Sequence, residues 1–323
     1  MSGGEEQVRA AGATAGPGLL RRVIRVPELM VLVAILVVVV GFVIMAPSTF
    51  LSARSIGAFM TAAAQLGVVA VGAAILIIAG EFDISVGSNY AFSGIVIGLL
   101  STAGLPMWLA ILIGLVVATS IGLSNGLITL AARIPSFITT LGTWLVWFGL
   151  TLAVSKGFFV RVKPNDGLIQ VIGGLVGYQF YASIFWWLGI GVIAIILLVR
   201  TPLGNWIFAA GGNAEAARAV GVPAGRVKLF AFGLIGFLAG VSSLFTLGQQ
   251  GSMAPLYGQN LALQAIAAAV IGAMLGAVLM SMINGGLILA GAPTFWYQTF
   301  VGAIVIVAVV INTSISRRVA QMK

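Results

Sequence analysis

The 323-residue chain contains no cysteine and no histidine, and only 7% of its residues are charged. Lack of cysteine removes disulfides and thiolate chemistry. Lack of histidine removes Ser–His–Asp catalysis, the commonest transition-metal ligand and the usual neutral-pH proton relay. No G-x-x-x-x-G-K-[ST] phosphate loop occurs, so the energy for any uphill work must come from another chain. Charge is the most telling scarcity, because soluble domains carry about 25% charged residues. Residues 229–316, 88 in a row, have none. At about 20 residues per crossing, that run alone can hold several membrane spans. What is present is apolar: 60% of residues are hydrophobic and mean hydropathy is +1.16. A β-barrel would show alternating strands and a polar lumen, and neither pattern is seen. The expected fold is all-α and polytopic, with about nine or ten transmembrane or partly spanning helices.

Apolar length places spans at 29–46, 56–79, 89–104, 107–131, 137–155, 181–199 and 229–248, an ambiguous block at 261–292, and a last span at 297–313. This makes residues 1–28 a cytoplasmic tail, 29–316 one membrane domain, and 317–323 a second tail. The 18-residue run Leu29–Ala46 exceeds a signal-peptide core of about 7–15 residues, so it reads as a retained first span. Trp108, Trp144, Trp147, Trp186, Trp187 and Trp296 lie near span ends or in first turns, as interfacial belts require. The net charge of +9 is spread over span ends. That distribution signals membrane orientation and argues against a nucleic-acid partner. With the N-terminus inside, two crossings in the ambiguous block put twelve basic residues inside and four outside; one crossing gives nine and seven. The positive-inside bias favours two. Yet the block makes only roughly 45 Å of helix at about 1.5 Å per residue, too long for one span and too short for two. Short or discontinuous helices are expected, with Gly272, Gly276, Gly285 and Gly286 as break points.

Two acids interrupt the apolar sequence in "AGEFDISVGSN". Glu81 and Asp83 are the only charged residues between Arg54 and Arg133. Two positions apart, they diverge on a strand and on a helix alike, which argues against an acid–base pair. No catalytic residue and no metal site are expected. Three readings stand: a capped turn near the cytoplasmic face, a moving or ATPase-contacting part of a transport cycle, and an ion site. The turn reading draws on Asp83, Ser85 and Ser88 as natural caps and on Gly87 for an unusual backbone angle.

The loop 200–228 holds a second feature. Asn213 is a good N-cap, Glu215 sits in a first turn, and Ala214, Ala216, Ala217 and Ala219 favour helix. Arg218 suits the helix end and Gly221 the left-handed stop. The result is a short capped helix, either a docking element for another protein or an interfacial helix on lipid headgroups. Amides on or beside apolar helices (Asn89, Asn125, Gln249, Gln264, Asn284) and the cluster of Trp144 and Trp147 could form a solute pathway. Each amide could equally be an interhelical hydrogen bond.

Three segments resemble the permease subunits of ribose-type monosaccharide ABC importers, in the branched-chain amino-acid/ribose permease superfamily. They are "AGEFDISVGS", "ARIPSFITTLGT" (Ala132–Thr143) and "GGNAEAARAVGVPAGRVK", in the family's order. The resemblance runs from about residue 29 to the C-terminus. It implies a fold akin to type II importers and a multi-pass location in the bacterial inner membrane. The implied partners are a second permease copy, an extracytoplasmic sugar-binding protein and a cytoplasmic ATPase subunit that carries ATP and Mg, with no cofactor on this chain. It also implies that Asn213, Glu215, Ala216, Ala217, Arg218 and Gly221 couple to the ATPase, and that Glu81, Asp83, Ser85, Gly87 and Ser88 form a signature turn. One departure stands out: "LQAIAAAVIG" runs directly into "AMLGAVLMSMINGG" where the family has a Gly/Ser-rich turn. A secondary transporter using Glu81 or Asp83, or a permease for another small solute, is the alternative.

Overall fold

A computed structural model describes residues 27–163, 166–293, 295–303 and 306. Most of the tail 1–28, the end of the last span and the tail 317–323 therefore lie outside the described residues. The helices are α1 (Pro27–Met45), α2 (Ala53–Ile78), α3 (Val86–Thr102), α4 (Met107–Ala132), α5 (Ser136–Ser155), α6 (Gly167–Gly173), α7 (Ala182–Arg200), α8 (Pro202–Gly212), α9 (Ala214–Ala219), α10 (Ala224–Gln250), α11 (Leu261–Ile271) and α12 (Met274–Leu289). Residues 295–303 are helical too. Two strand pairs complete the described chain. β1 (Val160–Arg161) pairs antiparallel with β4 (Ser252–Met253), and β2 (Leu175–Val176) with β3 (Phe180–Tyr181).

Five helices (α2, α4, α5, α7 and α10) are long and apolar enough to cross a membrane; α1, α3, α11 and α12 are shorter apolar helices. The most apolar stretches of α2 and α10 are each 72% buried, whereas that of α5 is only 17% buried. The first two form the centre and α5 faces lipid along Ile138, Leu145 and Val146. Small residues allow the central helices to meet backbone to backbone. A Cβ on Gly122 of α4 would strike the Phe232 carbonyl of α10, and one on Gly236 would strike the Ala118 carbonyl. Such close approach suits membrane packing, where dispersion replaces the hydrophobic drive between helices.

The ambiguous block resolves as α11 and α12, which reverse direction through Gly272 and Ala273. Gly276, Gly285 and Gly286 are not breaks; they lie inside α12, where Ala268, Phe59 and Phe42 respectively pack closely. Two further expectations are corrected. Residues 202–212 belong to helix α8, because Thr201 caps Gly204 N–H (3.2 Å) and Pro202 opens the first turn. Trp187 is no belt residue: it is 2% exposed, with its indole against Gly67 of α2. Trp108 and Trp186, 59% and 49% exposed, do fit a belt.

The turn between α11 and α12 has almost no chain to spare. Ala273 is held at φ 40°, ψ −82°, a conformation poor for a residue with a Cβ. Ala273→Gly should therefore stabilise the detergent-solubilised protein by about 1 kcal/mol, seen as a raised melting temperature. A lowered one would contradict the strain.

Candidate functional site

The acidic stretch proves to be a junction. Asp83 lies in the turn between α2 and α3, 3% exposed, with no ion-pair partner among the described residues. Its Oδ1 accepts from the Ser85 N–H and hydroxyl, both at 2.7 Å, and its Oδ2 from Asn125 Nδ2 of α4 at 3.2 Å. Asn125 also donates to Ser85 Oγ at 2.7 Å. Burial pushes the Asp83 carboxyl above its usual range, opposed by hydrogen bonds from Ser85, Asn125 and the Ser85 and Val86 backbone. Asp83 thus caps the start of α3 through Ser85; Ser85 itself makes no side-chain cap. Gly87 and Ser88 lie in α3 and not in the turn: the unusual backbone angle expected of Gly87 falls at Gly80 (φ +86°), and the expected cap at Ser88 is replaced by a hydrogen bond to the Trp144 carbonyl of α5, 3.0 Å.

The same turn is clasped from α5. Phe82 N–H donates to Ser136 Oγ and Ile84 N–H to Thr140 Oγ1, each at 3.1 Å. Two of the three signature segments therefore touch. The third arrives from the other side: Lys228 Nζ of α10 meets Glu81 Oε1 at 2.6 Å, with side chains 16% and 12% exposed. A Cβ on Gly211, at the end of α8, would collide with the Ile78 carbonyl at the end of α2. Both acids are thus occupied, one by hydrogen bonds and the other by a cation.

Beside this junction stands α9. Asn213 Oδ1 accepts from Glu215 N–H (3.0 Å) and Ala216 N–H (2.9 Å), and Gly221 takes φ +87°. Asn213, Glu215, Ala216, Arg218 and Gly221 are exposed. Ala217, at 4%, faces inward and anchors the helix instead of presenting itself outward.

A cavity lies deeper. After β4 the chain leaves regular structure and dips back, until Gly258 and Gly87 stand backbone to backbone. Gly98, at the far end of α3, borders Val160 of β1. Eleven residues at about 1.5 Å each put Gly258 roughly 16 Å from that strand pair along α3, within the apolar bundle. Irregular backbone is tolerable at that depth where it lines a polar space. Here it lines a cavity of about 300 Å³ with Gln65, Tyr90, Gln259, Asn260, Gln264 and Asn284 on its walls, and no charged group among its described lining. A second cavity of about 390 Å³ opens by β1 and the end of α10, with Arg161, Lys163, Gln170 and Gln249.

The amides expected for a pathway divide accordingly. Gln264 and Asn284 share the deep cavity and Gln249 lines the second one. Asn89 and Asn125 instead tie helices together, the former through Ala118 O of α4 at 2.9 Å. Trp144 and Trp147 stand on α5 outside both cavities, stacked near Phe148 and tilted on Phe92. Gln65, Gln259 and Asn260 were missed. Gln65 was findable as the lone amide in an otherwise apolar span, whereas "YGQN" reads as an ordinary loop.

A multi-pass helical membrane protein with a polar cavity between its helices, uncharged in its described lining, belongs among solute permeases. The chain belongs to the branched-chain amino acid transport system / permease component family, whose profile matches residues 55–309. Its relatives include the autoinducer 2 import system permease protein LsrC of Photorhabdus laumondii, 28% identical over 92% of this chain and 93% of that protein. The probable ABC transporter permease protein YphD of Escherichia coli is 30% identical over 92% of each. The xylose transport system permease protein XylH of Escherichia coli is 26% identical over 97% of this chain and 98% of its own length.

The Glu81–Lys228 pair is mostly buried, so either partner alone leaves an uncompensated charge. Glu81→Lys or Lys228→Glu should each lower stability by about 2–3 kcal/mol, and the double swap should recover most of it in thermal melts. Additive losses in the double variant would show that the pair contributes no coupling.

Proposed function

We propose that the chain is the membrane subunit of an ATP-driven importer of a neutral monosaccharide, of pentose type. The observation that carries this reading is the uncharged, amide- and tyrosine-lined cavity. Amide and phenol groups can donate to and accept from a ring of hydroxyls, while a zwitterionic amino acid or a phosphate ester would enter without a counter-charge. The cavity thus supports a sugar over the amino acids of the family's description. The import of xylose and autoinducer 2 by named relatives supports the same side.

The energy source is a separate ATPase subunit that binds ATP and Mg. Its dock is the exposed face of α9, where Asn213, Glu215, Ala216, Arg218 and Gly221 project beside the Glu81–Lys228 contact. An extracytoplasmic binding protein delivers the sugar, and a second copy of the chain completes the pathway. Motion of α9 reaches the signature turn through the α8–α2 contact and through Lys228. Ion coupling is disfavoured because Asp83 and Glu81 already have partners and neither lines the deep cavity.

Proteoliposomes holding the permease with its ATPase and binding protein should take up radiolabelled D-ribose or D-xylose when ATP is enclosed. Excess unlabelled leucine should not compete. Uptake that persists without ATPase and collapses with an ion gradient would overturn the reading.

A further inference from the structure

A hydrogen bond joins the walls of the two cavities. Gln65 lines the deep cavity, Gln249 lines the outer one, and Gln65 Nε2 donates to Gln249 Oε1 at 2.6 Å. The pair is the centre of a network drawn from four helices. Gln65 Nε2 also donates to Thr246 Oγ1 of α10 at 3.1 Å, and Thr246 shares a 2.6 Å bond with the Tyr90 hydroxyl of α3. Gln249 Nε2 donates to Ser183 Oγ at the start of α7, 3.1 Å away. Ser242 Oγ of α10 donates to the Gln65 carbonyl at 2.8 Å.

An ordinary interhelical amide bond, such as Asn89 to Ala118 O, is sealed in packed protein: Asn89 is 1% exposed. The Gln65–Gln249 bond differs because its two members are each partly exposed and face different cavities. Breaking it therefore need not strand a donor in an apolar core, since hydroxyls or water can take its place. A polyol reaching Gln249 from outside presents the same donors and acceptors that the partner amide presents. An apolar solute presents none.

We propose that Gln65 and Gln249 form the outer gate of the permease, a latch that a polyhydroxylated solute opens by exchanging its own hydrogen bonds for the bond between the amides. Arg161 and Lys163 flank the approach, and the neutral deep cavity receives the solute once the latch parts. The gate joins the middle of α2 to the end of α10, the two central helices; Lys228 lies at the other end of α10, and Glu81 follows the end of α2. The proposal rests on the permease reading above and adds to it the point at which entry is controlled.

The absence of cysteine makes the test clean for this subunit. A single cysteine at Asn284→Cys reports on the deep cavity, and one at Gln170→Cys on the outer cavity. Both are labelled with a membrane-impermeant maleimide from outside, in membranes holding the full transporter. With Gln249→Ala or Gln65→Ala, labelling at position 284 should rise at least tenfold over the parent. The two variants remove the same bond, so combining them should add nothing further. Labelling at position 170 should stay constant. An unchanged rate at 284 in both variants, or rates at 170 and 284 rising together, would overturn the gate. Because labelling needs no transported solute, it can fail while pentose uptake stands, and succeed if the solute is not a sugar.

Discussion

The structure depends on a buried carboxylate that has no cation beside it among the described residues. Asp83 keeps its place in a dry environment only because Ser85 and Asn125 donate to both its oxygens. Those bonds fix the first turn of α3 against α4. The backbone on either side of Asp83 is then held by Ser136 and Thr140 of α5, and Glu81 by Lys228 of α10. A single seven-residue turn, 79–85, thereby gathers four helices. The three stretches that resemble importer permeases in the linear sequence converge at this one place.

This arrangement separates two jobs that an apolar bundle would otherwise mix. On the face that carries Arg133, Arg200 and Lys228, polar bonds are short and mostly buried, making a closely bonded junction beside α9. Toward the opposite face the polar groups border open space: the deep cavity, the outer cavity and the amide pair between them. In the proposed cycle a push on α9 would travel through α8 and α10, which meet the turn at Gly211 and Lys228. In the proposed gate the cavity walls rearrange by exchanging hydrogen bonds with the solute. The described lining of the deep cavity is uncharged, which fits the proposed solute, one that is held by many weak hydrogen bonds and must leave again.

Much of the fold is legible in the sequence, because a membrane imposes one strong rule: backbone polar groups must be satisfied within helices, so apolar length marks spans. The Asn213 cap and the break at Gly272 could also be read from local residue chemistry. The helix α8 could not, since Gly204, Gly211 and Gly212 obscure its pattern although Thr201-Pro202 announces its start. The site divides on a different line. An amide in an apolar helix looks the same whether it bonds a neighbour, as Asn89 and Asn125 do, or borders a cavity, as Gln264 and Asn284 do. Only the third dimension tells them apart. The depth reached by Tyr257–Asn260 was invisible for the same reason, because a polar loop in sequence carries no record of how far it folds back.

The central claim is that the Asp83 junction links α9, the dock proposed for the ATPase, to the cavity. It is tested most directly by measuring ATP hydrolysis and solute uptake together in reconstituted transporter carrying Asp83→Ala, with Asp83→Asn as the milder companion. The account predicts that assembly and ATP hydrolysis persist while uptake per ATP falls at least tenfold in Asp83→Ala. Uptake per ATP equal to that of the unmodified protein in both variants would contradict it.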